Sequence, residues 1–93
     1  MSTENIKQKS GILTWSEENI KNVPENPGIF ILRSSPINGA IVNIGTSTNL
    51  RIDLLKCLEE KTFPDVKFFD WYITNTAEEA KSIKKEWDIK YNI

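Results

Sequence analysis

The 93-residue sequence lacks histidine, has one cysteine and has no long apolar run. Without histidine, the chain cannot form a Ser-His-Asp triad or a Cys/His zinc site. Cys57 is the only cysteine, which excludes a disulfide framework within the chain. No apolar run approaches the roughly 20 residues that a membrane-spanning helix needs. The first residues are polar rather than signal-like, so we expect a cytoplasmic protein with no membrane partner.

The charges of the chain are nearly balanced, with 12 basic and 13 acidic residues and a net charge of −1. Domains that bind nucleic acid usually carry a basic excess or at least a basic face. The whole-chain charge therefore argues against tight nucleic-acid binding, but it is compatible with a local basic patch. The candidates for such a patch are Arg33, Arg51, Lys56, Lys81, Lys84 and Lys85.

The chain is short enough for a single domain, which we place at residues 14–93. Residues 1–13 are mostly polar and show no periodicity, which predicts a flexible tail. Ser16 precedes two acidic residues and is a typical N-cap, so a brief helix is predicted to end before Pro24.

Two β-rich runs, residues 28–33 and 40–45, are separated by a segment that ends in Asn38-Gly39. This pattern predicts a β-hairpin. A third strand is predicted at residues 68–74, where aromatic and β-branched side chains cluster.

Two longer helices are predicted from their apolar stripes and caps. Leu50, Leu54 and Leu58 recur at helical spacing, with Cys57 beside them as a buried, unreactive thiol, and we expect residues 46–48 to cap this helix. A capping box at residues 76–79 begins the last helix, and its apolar face is formed by Ala80, Ile83, Trp87 and Tyr91. The element order predicts an α+β fold with a small, largely antiparallel three-stranded sheet and flanking helices.

Two short motifs on the predicted hairpin resemble the signatures of the GIY-YIG nuclease family. Gly28-Ile29-Phe30 resembles the Gly-Ile-Tyr motif, and Asn43-Ile44-Gly45 resembles the Tyr-Ile-Gly motif. The second motif is followed by a small-residue turn and by Asn49-Leu50, as in the family. Glu79-Ala80 and the closing Tyr91-Asn92 extend the likeness, which covers about residues 24–92.

This resemblance implies a metal-dependent endonuclease whose two tyrosines, one arginine and one glutamate share a face of the sheet. In the family the glutamate holds a divalent metal, a tyrosine helps to activate water and the arginine stabilises transition-state charge. The positions that match these side chains hold Phe30, Asn43, Asp53 and Lys84. Phenylalanine and asparagine do not titrate usefully, aspartate would repel a phosphate, and lysine cannot ligate a metal.

Two nearby residues are possible substitutes for the missing charges. Arg51 lies on the same predicted helix as Asp53, but residues two apart differ by about 200° in direction on a helix. Glu86 lies roughly 120° from the centre of the apolar face of the last helix, so we expect it to face solvent.

The sequence thus leaves three functional readings open. In the first, the domain has lost metal-dependent nuclease chemistry and acts as a nucleic-acid-binding or other binding module, with no cofactor and with an Asp53–Lys84 contact as one conceivable feature. In the second, it is an active endonuclease that uses Mg²⁺ or Mn²⁺ and relocated residues, Arg51 and Glu86. In the third, it binds a protein or a second copy of itself through the aromatic strand at 68–73.

Overall fold

The computed structural model describes residues 6–37 and 40–91. The helices are α1 (Glu17–Lys21), α2 (Leu50–Glu60) and α3 (Ala77–Lys90). The strands are β1 (Gln8–Lys9), β2 (Leu13–Thr14), β3 (Gly28–Arg33), β4 (Ile41–Ser47) and β5 (Phe68–Ile73). The three long strands and three helices confirm the predicted α+β class, although β4 continues to Ser47 instead of ending at Gly45. The predicted Asn38-Gly39 turn lies outside the described residues.

The described strands form one antiparallel sheet in the order β1-β5-β3-β4, and β2 also pairs with β5. The prediction of a flexible tail over residues 1–13 is therefore corrected for the residues that pair with β5. The backbone N–H of Lys7 donates to the carbonyl of Ile73 at 2.8 Å, and that of Ser10 donates to Trp71 at 2.9 Å. Strands of two residues leave no periodic pattern, which is why the sequence did not indicate them.

The sheet is covered on both faces, and the residues of β3 alternate between the two sides. Phe30 and Leu32 face α1 and α2, where they pack with Ile20, Leu50 and Leu54. On the other face, α3 contributes a second cluster with β3 and β4, formed by Ile29, Ile31, Ile44, Ala80, Ile83 and Trp87. We refer to these faces as the α2 side and the α3 side.

The aromatic residues of β5 belong mainly to the core. Phe69 is fully buried and Trp71 is 8% exposed, both on the α2 side, whereas Tyr72 packs against the α3 cluster. The reading of a partner bound through the aromatic strand needs exposed rings, and Phe69 and Trp71 do not supply them, because both pack in the core.

The helix caps agree with the sequence in two of three cases. Ser16 accepts a hydrogen bond from the N–H of Asn19, and Thr76 accepts one from the N–H of Glu79. The cap of α2 is Asn49 rather than a residue of 46–48, because β4 extends through Ser47. None of the helices in the described ranges is long and apolar enough to cross a membrane.

Candidate functional site

The glycines of the two hairpin motifs lie where strand packing leaves no room for a side chain. Phe30 and Gly45 are direct partners across β3 and β4. A Cβ atom on Gly45 would lie 2.3 Å from the ring of Phe30, and one on Gly28 would lie 2.1 Å from the backbone oxygen of Tyr72. At distances this short a side chain would force the neighbouring atoms to shift, so both motif glycines serve the packing of the sheet.

Phe30 fills the core on the α2 side and is only 6% exposed. Its ring lies over Gly45, with Leu50 and Leu54 of α2 in the same cluster. Because this residue has no hydroxyl group, it can neither relay a proton nor orient a water molecule.

Asn43 lies on β4 opposite Leu32 and is half-buried. Since side chains alternate along a strand, Asn43 shares the α2 side with Gly45 and Ser47. Its amide makes no hydrogen bond with another described residue. Asn43 is therefore a neutral polar group on this face, and it can donate and accept hydrogen bonds.

Asp53 is part of the polar network that begins α2. The hydroxyl of Ser47 donates to the Asp53 carboxylate and accepts from the backbone N–H of Asn49 at 2.9 Å. Asp53 lies in the first turn, where the helix dipole favours a negative charge. Asp53, at the position that the resemblance matches to an arginine, thus stabilises the start of the helix.

Arg51 is held against the loop between α1 and β3. Its Nε donates to the carbonyl of Val23 at 2.7 Å, and its Nη1 lies 3.3 Å from Oε1 of Glu25. These contacts direct the guanidinium away from Asp53, as the helix geometry predicts, and partly neutralise its charge.

Lys84 forms an ion pair along its own helix. Its Nζ lies 2.6 Å from Oδ2 of Asp88, one turn further along α3. Asp53 and Lys84 belong to helices that pack on opposite faces of the sheet and have other partners, so the Asp53–Lys84 contact considered from the sequence does not form. Glu86 is exposed, as predicted. The described residues contain no cluster of three or more metal-ligating His, Cys, Asp or Glu side chains.

Arg33 was predicted as a nucleic-acid contact, but the structure buries it. Arg33 is 4% exposed and forms a bidentate ion pair with Asp70, which is 2% exposed. The hydroxyl of Tyr72 donates to the same carboxylate. The hydrogen bond to Asp70 raises the pKa of Arg33, and burial followed by its hydrogen bond to Asp70 raises the pKa of Tyr72. A guanidinium that is sequestered in this way cannot reach a phosphate.

Three other basic candidates are exposed, but they do not form one patch, because they lie on two different helices. Lys56 is exposed on α2, whereas Lys81 and Lys85 are exposed one turn apart on α3. None of these three forms an ion pair within the described ranges. They are available for anions on two different sides of the sheet.

Cys57 is half-buried on α2. Burial, followed by the charges of Asp53 and Glu60, raises the pKa of its thiol. Because the thiolate is the nucleophilic form, this environment favours the unreactive thiol that the sequence predicts.

No family model and no curated protein matches this sequence. Solved structures do match it, among them the N-terminal GIY-YIG endonuclease domain of UvrC from Thermotoga maritima, bound to its catalytic magnesium ion. That match has 23% identity and a TM-score of 0.68, and it covers 81% of this chain and 88% of that domain.

Two variants of the same domain, each with one tyrosine replaced by phenylalanine and each bound to the catalytic divalent cation, match equally well. One has 23% identity, a TM-score of 0.67 and coverage of 81% and 88%. The other has 25% identity, a TM-score of 0.67 and coverage of 81% and 87%. The chain described here therefore has a GIY-YIG-like fold, as the two hairpin motifs predicted.

Proposed function

We propose that this chain is a GIY-YIG-like domain that binds nucleic acid and does not cleave it by the metal-dependent chemistry of the family. The observation that carries the proposal is the environment of Lys84, at the position that matches the metal-binding glutamate. A lysine cannot ligate Mg²⁺ or Mn²⁺, and its charge opposes one. The Asp88 that neutralises it is held in an ion pair of 2.6 Å.

The other three positions support the same conclusion. Phe30 lacks a hydroxyl group, Asn43 does not titrate usefully, and Asp53 would repel the phosphate that an arginine attracts. Phenylalanine variants of the UvrC domain are bound to the catalytic cation. A phenylalanine at one tyrosine position is therefore compatible with metal binding, and Phe30 by itself does not argue against a metal. The stronger argument comes from the reversed charges at Asp53 and Lys84. These residues do not fit a catalytic divalent metal.

Nucleic acid is the partner that the fold and the free lysines favour. The matching domain is an endonuclease domain, and Lys81 and Lys85 present uncompensated positive charge on α3. Phosphate contacts of this kind give affinity without sequence readout and weaken as salt rises. A protein partner was suggested by the aromatic strand at 68–73. Phe69 and Trp71 of that strand are buried and cannot contact a partner.

An active nuclease with relocated residues is the second candidate function. It would need Arg51 to leave Val23 and Glu25, and it would need the exposed Glu86 to turn toward the sheet. These movements make it the weaker candidate.

One assay separates the two candidates. Labelled single-stranded, duplex and branched DNA is incubated with the protein, with and without Mg²⁺ or Mn²⁺, and cleavage and binding are recorded at low and moderate salt. We expect binding that weakens steeply with salt, and no cleavage. Metal-dependent cleavage that is lost in Arg51→Ala and Glu86→Ala but kept in Lys84→Ala would contradict the proposal and support relocated catalysis.

A further inference from the structure

A cleft of about 460 Å³ lies between the N-terminal strand β1 and the end of α3. This volume is within the range of small-molecule sites, roughly 300–1,000 Å³. We call it the β1–α3 cleft. Its lining includes three lysines and three aromatic residues, namely Lys7, Lys9, Lys90, Tyr72, Trp87 and Tyr91.

The charge of the β1–α3 cleft differs in sign from that of the whole chain. Its described lining contains three lysines and no aspartate or glutamate, although the chain has a net charge of −1. Asp88, which is close in sequence to Lys90, is paired with Lys84. A concave surface with several charges of one sign concentrates ligands of the opposite sign. The cleft therefore selects for an anion.

The aromatic residues give the cleft a surface for a planar group. Tyr72 and Trp87 line the cleft and meet edge to face with their ring centres 5.0 Å apart. Tyr91 is 40% exposed, and Nζ of Lys90 lies 5.5 Å from the centre of its ring. An exposed ring beside a cation is the arrangement that stacks a base while it holds a phosphate.

A second cleft of about 360 Å³ continues the first, since both are lined by Lys9 and Tyr72. It follows residues 9–12 and ends at Arg33 and Asp70, whose charges neutralise each other. The second cleft therefore adjoins the first, and it introduces no unpaired negative charge among the described residues.

We propose that the β1–α3 cleft binds a nucleotide unit, with the phosphate at Lys7, Lys9 and Lys90 and the base stacked on Tyr91. The proposal rests on the nucleic-acid part of the proposed function and gives that function a surface. It uses none of the positions that match the catalytic residues of the family. A free nucleotide and an unpaired nucleotide of a single strand share this chemistry.

The test is a binding titration in which the full chain is added to fluorescein-labelled oligothymidylate and the fluorescence anisotropy is measured. Unlabelled dTMP is then added to compete for the site. Replacing Tyr91 by alanine removes the stacking ring, and we expect the Kd to rise about tenfold. The matched control is Tyr91→Phe, which keeps the ring and should stay within about twofold of the parent.

The lysines are tested with the double variant Lys7→Gln/Lys90→Gln. The matched control is Lys61→Gln/Lys67→Gln, which removes two positive charges that lie outside the cleft and outside α3. We expect the cleft variant to bind about tenfold more weakly and to make the fall of log K with log salt less steep by about 1.4. The control variant should have a clearly smaller effect on both quantities. All four side chains are exposed, so thermal unfolding should be unchanged and serves as the check on folding.

Each outcome decides the inference. Competition by dTMP identifies a site for the free nucleotide, and binding of the oligomer alone identifies a single-strand site. Either result supports the proposal if the cleft variants weaken binding. If binding persists in the cleft variants and falls in Lys81→Gln/Lys85→Gln, the inference is wrong while the proposed function stands. If no nucleic acid binds, both fail.

Discussion

Arg33 and Asp70 form a buried bidentate ion pair between neighbouring strands, with Nε 2.8 Å from Oδ1 and Nη2 3.2 Å from Oδ2. Arg33 ends β3, and Asp70 lies within β5 opposite Ile31. Both side chains are at most 5% exposed. A charge buried so deeply is tolerated only with its partner, which makes this pair a sensitive point of the fold.

Asp70→Ala should therefore destabilise the domain strongly, because it leaves the Arg33 guanidinium buried without its carboxylate. We expect a loss of about 3–5 kcal/mol, which is a large share of the roughly 5–14 kcal/mol available to a chain of this length. Urea unfolding measures the loss. The matched control is Asp88→Ala, whose pair with Lys84 is about one third exposed and should contribute about 0–1 kcal/mol. Equal losses in the two variants would contradict the role given to Asp70.

Tyr72→Phe should cost less, because the ring stays against Trp87 and only the hydrogen bond to Asp70 is lost. A hydrogen bond to a charged group contributes about 1.5–3 kcal/mol. We expect a loss of that order in urea unfolding near neutral pH. A loss that matches the one in Asp70→Ala would mean that Tyr72, and not Arg33, is the main partner of Asp70.

The same tyrosine should make stability fall at alkaline pH. The pKa of Tyr72 is raised above its ordinary value of 10, first by burial and then by the bond to Asp70. The unfolded chain loses this proton near pH 10 while the folded chain keeps it, so the stabilisation is complete below pH 10 and is lost as the pH rises above it. The stability difference between the parent and Tyr72→Phe should shrink above about pH 10. A difference that is constant with pH in urea unfolding would contradict this account.

Arg33 was expected to contact nucleic acid but is buried against Asp70, and this difference shows which features a sequence can predict. Local patterns correctly predicted β3, the caps at Ser16 and Thr76 and the burial of Ala80, Ile83 and Trp87 on α3, because each depends on residues within a few positions. The prediction that Tyr91 belongs to the same apolar face is wrong, since Tyr91 follows the end of α3 and is 40% exposed. The ion pair joins residues 37 positions apart, and only the pairing of β3 with β5 brings them together. The short strands β1 and β2 are likewise set by the free edge of β5, so neither they nor the β1–α3 cleft could be predicted from local patterns.

Gly45→Ala tests the packing reason for the second hairpin motif. The new Cβ atom would meet the ring of Phe30 at 2.3 Å, and overpacking of this kind costs about 1–3 kcal/mol. Gly11→Ala is the control, since no atom lies within 4 Å of a Cβ at that position, and we expect a change within about 0.5 kcal/mol. The penalty of Gly45→Ala should decrease in a Phe30→Leu background. An unchanged penalty there would show that the ring is not the cause.

Binding of Mn²⁺ tests the central claim most directly, because it reports on the metal site without relying on activity. The protein is labelled with ¹⁵N, and the loss of amide signals is followed residue by residue as Mn²⁺ is added. We predict no saturable, localised loss around Asn43 or around Lys84, since a neutral amide and a lysine do not bind the ion. Saturable loss confined to the amides around either residue would show that a divalent metal binds there, and it would contradict the loss of metal-dependent chemistry.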